Sequence, residues 1–530
     1  MSGTEVNEQA EASTLQRFIK SVEEAGIKLW LEDGKLKYKG PKGPVTQKFV
    51  EALKIRRDEV VEYLELSEPT RFEIPYFSYH ASKEEFISIP PNMKTLWECI
   101  KGGGLGIRYA NSTRIFFRSE TLVPYELAIS CVQQLIEKYQ ILAARIIERD
   151  TEEGFLCDLT PDDILHETDI SDKRNVDSDY ELEQLITQLV WIPFQPDKSL
   201  VRIHLIHLPD GSSAILFLIH HFIVDDLSVG ILQDAFLEIL SHRLQNLPHA
   251  LSVNDAVQFT SYLKAMNEWL PRLDVFKTDR AFWARTLDAA PPTHIRHDQT
   301  VLPDEVGDMV GRRFWVKREQ LLQFEATCHK LGSSLFVGLL SVLQLALSEM
   351  VGREDIVLNI LTDGRYQEAF SRAVGLFTNI VPLRVVHRSS DSFTEVLKVT
   401  QARLGDSMPR WRCPQYAFYH DVATAGSGWD APIINFRTAQ DWHDEQLTDE
   451  MIAARLDPSK ALGGDAPVPW RSSARVYGNM HIMLRHERSG LWGQIQYLAL
   501  LHDSAVIERF LGLVLEGIDR CARRPGDPFP

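Results

Sequence analysis

The chain has 530 residues, and its 57 Lys+Arg against 74 Asp+Glu give a formal net charge of −17. That balance argues against a general nucleic-acid or anionic-membrane binder, and no apolar run approaches the ~20 residues of a membrane span. The rest of the composition is ordinary for a globular protein, 44% hydrophobic and 25% charged, and predicts about three or four structural units at roughly 100–200 residues each.

Residues 1–13 are polar and acidic, so they are neither a signal nor a transit peptide and are expected to be disordered. Thr14 can cap a helix carrying Leu15, Phe18, Ile19 and Val22, which Gly26 ends. Two alternating segments, residues 27–31 and 35–38, flank an Asp33-Gly34 turn signal and predict a β-hairpin. A single helix is expected after Thr46, through Phe49, Val50, Leu53, Val60, Val61 and Leu64, followed by a linker near residues 67–70. The hairpin is basic in an acidic chain: Lys28, Lys35, Lys37 and Lys39 surround Trp30 and Leu31. On the residues alone, lysines protecting a free strand edge from aggregation are the simpler reading; an edge for an acidic peptide is the sharper one.

Farther along, residues 201–208 alternate and residues 214–219 are continuously apolar, which predicts a strand pair whose second member is buried on both faces. The second strand ends in His220-His221-Phe-Ile-Val-Asp225-Asp226. Histidine is the side chain suited to proton transfer near neutral pH, and a nearby carboxylate can fix its tautomer or anchor its loop. The plainer alternative is a pair of satisfied histidines at a strand-to-helix turn, with Asp225 or Asp226 capping the helix. A metal site drawing in His204 and His207 lacks ligand spacing. The glycine run at 102–106 lacks the GK[ST] of a phosphate loop, and no GxSxG elbow is present. Cys99, Cys131, Cys157, Cys328, Cys413 and Cys521 form no CxxC pair, so a reduced, cytoplasmic protein without a structural metal is expected.

Gly26-Ile-Lys-Leu-Trp30, Lys35-Leu-Lys-Tyr38, Pro41-Lys-Gly43 and the closing helix resemble the β-hairpin docking domains of tubulysin-synthetase type. Such domains open nonribosomal peptide synthetase subunits and bind a short linear motif at the tail of an upstream carrier-protein subunit. The resemblance turns the lysines toward docking. His220-His221-x-x-x-Asp225 matches the HHxxxDG signature of condensation domains and their chloramphenicol-acetyltransferase-like relatives. In order, Gln258-Phe-Thr-Ser-Tyr262, Asp363-Gly364-Arg365, Val374-Gly375-Leu-Phe-Thr-Asn379-Ile-Val-Pro-Leu-Arg384 and Gly490-Leu-Trp-Gly resemble further segments of that family. Asp226 stands where the signature has glycine, and the early arginine-bearing motif survives only as Lys138-Tyr-Gln-Ile-Leu-Ala143.

The resemblance implies an α/β (α+β) fold of two chloramphenicol-acetyltransferase-like lobes in a V, preceded by a helix–hairpin–helix docking domain. The implied spans are 13–66 for docking, 67–75 for the linker, 76–247 for the first lobe and 252–530 for the second. It further implies a tunnel between the lobes, His221 as general base, His220 as structural, Asp225 paired with Arg365 or Lys138, Gly375 in support, and Asn379 facing the tunnel. No cofactor of its own is implied; the phosphopantetheine arm of a carrier protein brings the acyl thioester to an amine or hydroxyl acceptor. Because no adenylation or carrier domain follows, a free-standing, chain-releasing enzyme of enacyloxin type is expected, forming an ester or an amide. An epimerisation domain, an acyl-coenzyme A acyltransferase and a non-catalytic carrier-recruitment domain share the fold and remain alternatives.

Overall fold

The computed structural model describes residues 18–19, 22, 25–32, 35–41, 45–65, 74, 76, 80–101, 113–172, 178–244, 256–295, 306–418, 431–438, 470–473, 480–487 and 489–529. The expected N-terminal disorder, the Thr14 cap, the Asp33-Gly34 turn, the linker, the glycine run at 102–106 and the lobe boundary near 247–252 lie outside them. The chain divides into two compact units: residues up to 72 with Leu273–Thr286, and Glu73–Arg272 with Leu287–Pro530. The short turn Leu273–Phe276 and most of the helix Lys277–Leu287 group with the first unit.

In the first unit, Gly26 takes φ +70, the left-handed conformation glycine adopts after a helix, and Ile27 N–H reaches back to Val22 O at 3.0 Å. Strands β1 (Lys28–Glu32) and β2 (Lys35–Lys39) then pair antiparallel, with Lys28 opposite Lys39, Leu29 opposite Tyr38 and Trp30 opposite Lys37. Alternation sorts the two faces. Leu29 and Leu36 pack on a small core of Ile19, Leu53 and Val60, and Tyr38 meets Phe49 edge-on at 5.5 Å. Lys28, Lys35, Lys37 and Lys39 are exposed, and Trp30 is half-buried among them. Thr46 caps the next helix by accepting Phe49 N–H at 3.2 Å. The single helix expected here is two, Gln47–Ile55 and Arg57–Glu65, broken at Arg56. Neither Gly nor Pro marks the break. Asp58 and Glu59 in the first turn of the second helix favour a fresh N-terminus there.

In the second unit, β4 (Thr113–Ser119), β9 (Ser213–Ile219), β8 (Val201–His207) and β7 (Leu165–Asp169) form one sheet in that order. Every residue of β9 is buried, as its unbroken apolar run predicts. The strands β3 (Ile87–Ser88), β6 (Glu152–Cys157) and β5 (Ala144–Arg149) form a smaller sheet. The largest sheet among the described residues runs β12 (Asn379–Val386), β11 (Asp355–Thr362), β13 (Ile433–Thr438), β15 (His481–Glu487), β16 (Gly490–Leu498), β10 (Val306–Lys317), β14 (Trp470–Ser473). Strands β11, β13 and β15 run parallel to one another; the other pairings are antiparallel.

Alternation again assigns faces. Ile356, Leu358, Ile360, Ile434, Ile482, Leu484, Leu491 and Ile495 join the core formed with helices Arg318–Lys330, Leu335–Val351, Phe393–Ser407 and Ser504–Arg523. Asn435, Arg437, Met483, Arg485 and Trp492 have the opposite parity. Leu335–Val351 is apolar nearly all round because it is buried; Ser334 and Gly352 (φ +63) delimit it. Among the described residues no single helix is long and apolar enough to cross a membrane.

Candidate active site

Strand β9 carries the chain through the buried sheet and ends at two histidines with opposite fates. His220 is 1% exposed, and its Nδ1 accepts Phe222 N–H at 3.1 Å, so its hydrogen sits on Nε2. Burial, with a smaller push from His221, brings its pKa down to about 3. It is a neutral wedge beside Phe194, whose ring lies 5.3 Å away. His221 opens the one-turn helix His221–Ile223 and is only partly buried. Its Nδ1 lies 2.9 Å from Val224 O. A carbonyl only accepts, so Nδ1 carries the hydrogen and Nε2 keeps the basic lone pair. The loop thus sets the tautomer a general base needs, and it does so with its own backbone rather than with Asp225.

Asp225 is committed elsewhere. It is 2% exposed and accepts five hydrogen bonds. Oδ1 takes Ser228 N–H at 2.9 Å, Ser228 Oγ at 2.8 Å and Arg365 Nη2 at 3.0 Å; Oδ2 takes Arg365 Nη1 at 2.7 Å and Phe377 N–H at 3.1 Å. Of the two partners open to it from sequence, Arg365 is the one it meets; Lys138 lies over the ring of its neighbour Tyr139 at 6.0 Å. Arg365 also donates to Asp363 O at 3.2 Å, Ala373 O at 3.0 Å and Ser228 Oγ at 2.9 Å, and covers the Phe377 ring at 4.4 Å. Only Arg365 Nε lacks a partner; the rest of this bidentate, hydrogen-bonded geometry is what a buried ion pair requires.

Glycine is needed at two points of this knot. Gly375 donates to Ser228 Oγ at 3.0 Å, and its carbonyl accepts Asp225 N–H at 3.1 Å. A Cβ there would come within 2.1 Å of the Phe259 ring. Gly364, just before the arginine, has φ +67, and a Cβ on it would sit 1.8 Å from Phe377 O. Asp225, Arg365 and Gly375, all singled out from sequence, therefore meet. Ser228 is the hub between them.

Of the two aspartates open as helix cap from sequence, Asp226 is not the one. As the cap of the helix Asp226–Leu244 it would need a side chain before the first turn; that place belongs to Asp225, whose carboxylate reaches Ser228 N–H, the third residue in. Asp226, one residue later, turns outward and pairs with Arg437 of β13. Asn379 is also spent on structure. It donates to Trp411 O and Cys413 O, each at 2.9 Å, and accepts Gln415 N–H at 2.9 Å. Three of its four hydrogen-bonding places hold one loop, so it supports the site rather than presenting itself to a ligand.

Beside the knot lies a cavity of about 300 Å³, lined by Phe336, Leu361, Tyr366, Trp411, Phe436 and Arg437 among others, with Asp225 in its wall. His221 is not part of its lining. Sequence gave no sign of Arg437, an arginine in an ordinary strand. Among the described residues no group of three His, Cys, Asp or Glu side chains is placed to hold a metal. His204, though buried, has burial pushing it down to about 4, with His166 and Arg202 adding to the effect, and its strand neighbour is His166 rather than a carboxylate.

Residues 113–529 match the family model described as the condensation domain, and residues 15–65 match the TubC N-terminal docking domain. The hybrid PKS-NRPS synthetase gkaA of Penicillium citrinum is 25% identical over 226 residues, covering 41% of this chain and 6% of that protein. Malpibaldin synthetase of Mortierella alpina is 28% identical over 325 residues, covering 61% of this chain and again 6% of that protein. The chain thus matches a small fraction of the length of these relatives. Among solved structures, the fold is similar to that of the condensation domain that mediates chain release from the enacyloxin polyketide synthase. The TM-score is 0.69 at 21% identity, covering 94% of this chain and 95% of that one. A match over most of the length, on a fold with the paired histidines at the end of a buried strand, settles the family: the chain belongs to the condensation domains and carries a docking domain of TubC type at its N-terminal side.

Proposed function

We propose that the chain transfers an acyl group from the phosphopantetheine thioester of a carrier protein to an amine or hydroxyl acceptor, with His221 as the general base. The observation that carries this reading is the His221 tautomer. Nδ1–H is held by Val224 O, which puts the ring's basic lone pair on Nε2. The acceptor's O–H or N–H gives its proton to Nε2 as oxygen or nitrogen attacks the thioester carbonyl. The tetrahedral intermediate then collapses, the C–S bond breaks, and the proton passes from Nε2 to the departing thiolate. The thioester is already activated, so the protein's main contribution is to hold two reactants at attack distance, worth up to about 7–11 kcal/mol in the best-oriented cases.

Chain release to a free hydroxyl acceptor is the preferred form of this reading, supported by the likeness to the enacyloxin-releasing domain. The donor is delivered by the first unit, whose exposed Lys28, Lys35, Lys37 and Lys39 around Trp30 suit an acidic linear motif at a carrier's tail. The test is intact-protein mass spectrometry of an acylated carrier mixed with the full chain and either an amine or an alcohol. Loss of the acyl mass with appearance of the ester or amide is expected. Deacylation that persists undiminished in folded His221→Ala removes the general-base reading. Reversing the four lysines to Glu is expected to slow transfer from a carrier with an acidic tail and to spare a small diffusible thioester.

A further inference from the structure

The one-turn helix His221–Ile223 is too short to hold itself, since a single turn closes few backbone bonds, and its place depends on what grips its ends. The Asp225 knot grips the far end. The near end is gripped through Phe222, the residue after the histidine. Phe222 is fully buried, its N–H is spent on His220 Nδ1, and its ring meets that of His220 edge-on at 6.4 Å. Two further rings meet it separately. Phe155, in the middle strand of the small sheet, stacks on it at 5.7 Å and 19°, and Trp97 lies against it at 5.1 Å and 34°.

Phe155 is fixed by strand pairing on both sides, opposite Ile87 and Ile146. Trp97 comes from a separate element, the helix Pro91–Lys101, and is 5% exposed. That helix is strapped to β6 at its last turn, where Lys101 Nζ reaches Glu153 at 2.5 Å and stands 5.9 Å from the Trp97 ring. Just ahead of the helix, Ile89 N–H reaches Glu153 O at 3.0 Å. The Trp97 indole N–H is buried and meets no acceptor among the described residues. A buried indole usually finds one, and an unpaired donor costs stability. What Trp97 contributes here is therefore the face of its ring.

We propose that Trp97 is a positioning residue for acyl transfer. By holding Phe222 against Phe155 it fixes the turn in which His221 Nδ1 meets Val224 O, and so keeps the basic lone pair on Nε2. This rests on the general-base reading of His221 above. It adds a second anchor to the catalytic turn, built from aromatic packing where the first is built from charge.

The tautomer is read first, because it needs no turnover. In the full chain carrying isotope-labelled histidine, the His221 ring nitrogens are identified in nitrogen NMR by their loss in His221→Ala, and they are expected to show the Nδ1–H form. Trp97→Leu removes the ring and is expected to mix in the Nε2–H form. Trp97→Phe keeps a ring, drops the unpaired N–H and is expected to leave the parent pattern. In turnover of a small diffusible thioester, Trp97→Leu is expected to lower kcat about tenfold with KM within about twofold, as a misplaced reacting group does, while Trp97→Phe stays within about twofold of the parent. Phe222→Leu is expected to reproduce the loss, and the double variant with Trp97→Leu to be no slower than Phe222→Leu alone, since both act through one ring. Where Trp97→Leu does not fold, Trp97→Met, which fills the space without an aromatic face, takes its place. A tautomer and kcat unchanged in the folded variant overturn the proposal. So do losses that multiply in the double variant, and a loss in Trp97→Phe as large as in Trp97→Leu. If the parent chain transfers no acyl group, the general-base reading fails on its own, and the tautomer comparison still decides whether Trp97 sets the turn.

Discussion

The knot around Asp225 and the lysine face of the hairpin both rely on charge, yet they use it in opposite ways. Asp225 and Arg365 are buried, and every lone pair and nearly every donor is matched within the protein. Lys28, Lys35, Lys37 and Lys39 stand in water on a two-stranded hairpin, with like charges facing across Lys28 and Lys39. Burial makes a charge rigid and costly to leave alone; exposure makes it a source of field, screened within about 10 Å at moderate salt. One arrangement fixes a loop. The other attracts a partner that is still at a distance.

The strongest way to break the contrast is to remove one member of the buried pair. Asp225→Ala leaves Arg365 uncompensated and is expected to cost about 3–5 kcal/mol of folding stability, read by denaturant unfolding. An unchanged melting temperature together with lost turnover would instead make Asp225 a participant in the chemistry. His221→Ala, at the rim of the knot, is expected to fold as the parent does and lose at least ~100-fold in rate, the usual scale for a general base. A fall in stability matching the loss of rate would count against that.

The pH response sharpens the same contrast. His220 and His204 are held neutral by burial, at about 3 and about 4, while the unfolded chain protonates them near pH 6.5. Their depressed values mean that stability is full above pH 6.5 and declines as the pH falls toward 4 and then 3. At pH 5 each contributes a loss of about 2 kcal/mol, measurable as a shift in unfolding midpoint. His204→Gln is expected to remove its share; a midpoint equally acid-sensitive in that variant would show that other groups are responsible. At the small end, Lys37→Gln is expected to change folding stability by less than about 0.5 kcal/mol. Its effect belongs to association with an acidic peptide, where the response to salt weakens in fluorescence titrations. A salt response identical to the parent's would take Lys37 out of the docking face.

Elements whose character is written locally were legible in the sequence. The hairpin followed from alternation and β9 from an unbroken apolar run. The His221 loop was found by its motif. What could not be read was set by distance along the chain. Arg365 lies 140 residues from Asp225, and spacing offered Lys138 on equal terms. Arg437 lies 211 residues from Asp226 in a segment with no special composition. The cap stayed open between Asp225 and Asp226 because adjacent aspartates are alike in sequence. Only the first turn shows which carboxylate reaches the Ser228 N–H. The break at Arg56 has no proline or glycine to announce it.

The loop that carries His221 is fastened mainly to the second half of its unit. Asp225 is held by Arg365, the Phe377 amide and Gly375, and Ser228 by Gly375 and Arg365. The histidine is thus encoded in one half of the polypeptide and given its place by the other. A fragment ending after Leu244 would contain the complete HHxxxD motif and still lack the partners that shape it. Separately produced halves are expected to be inert alone and to regain turnover only when mixed. Minimal active size is therefore set by these cross-braces, and a search for autonomous subdomains that trims the chain to its motif would discard the residues that make the motif work.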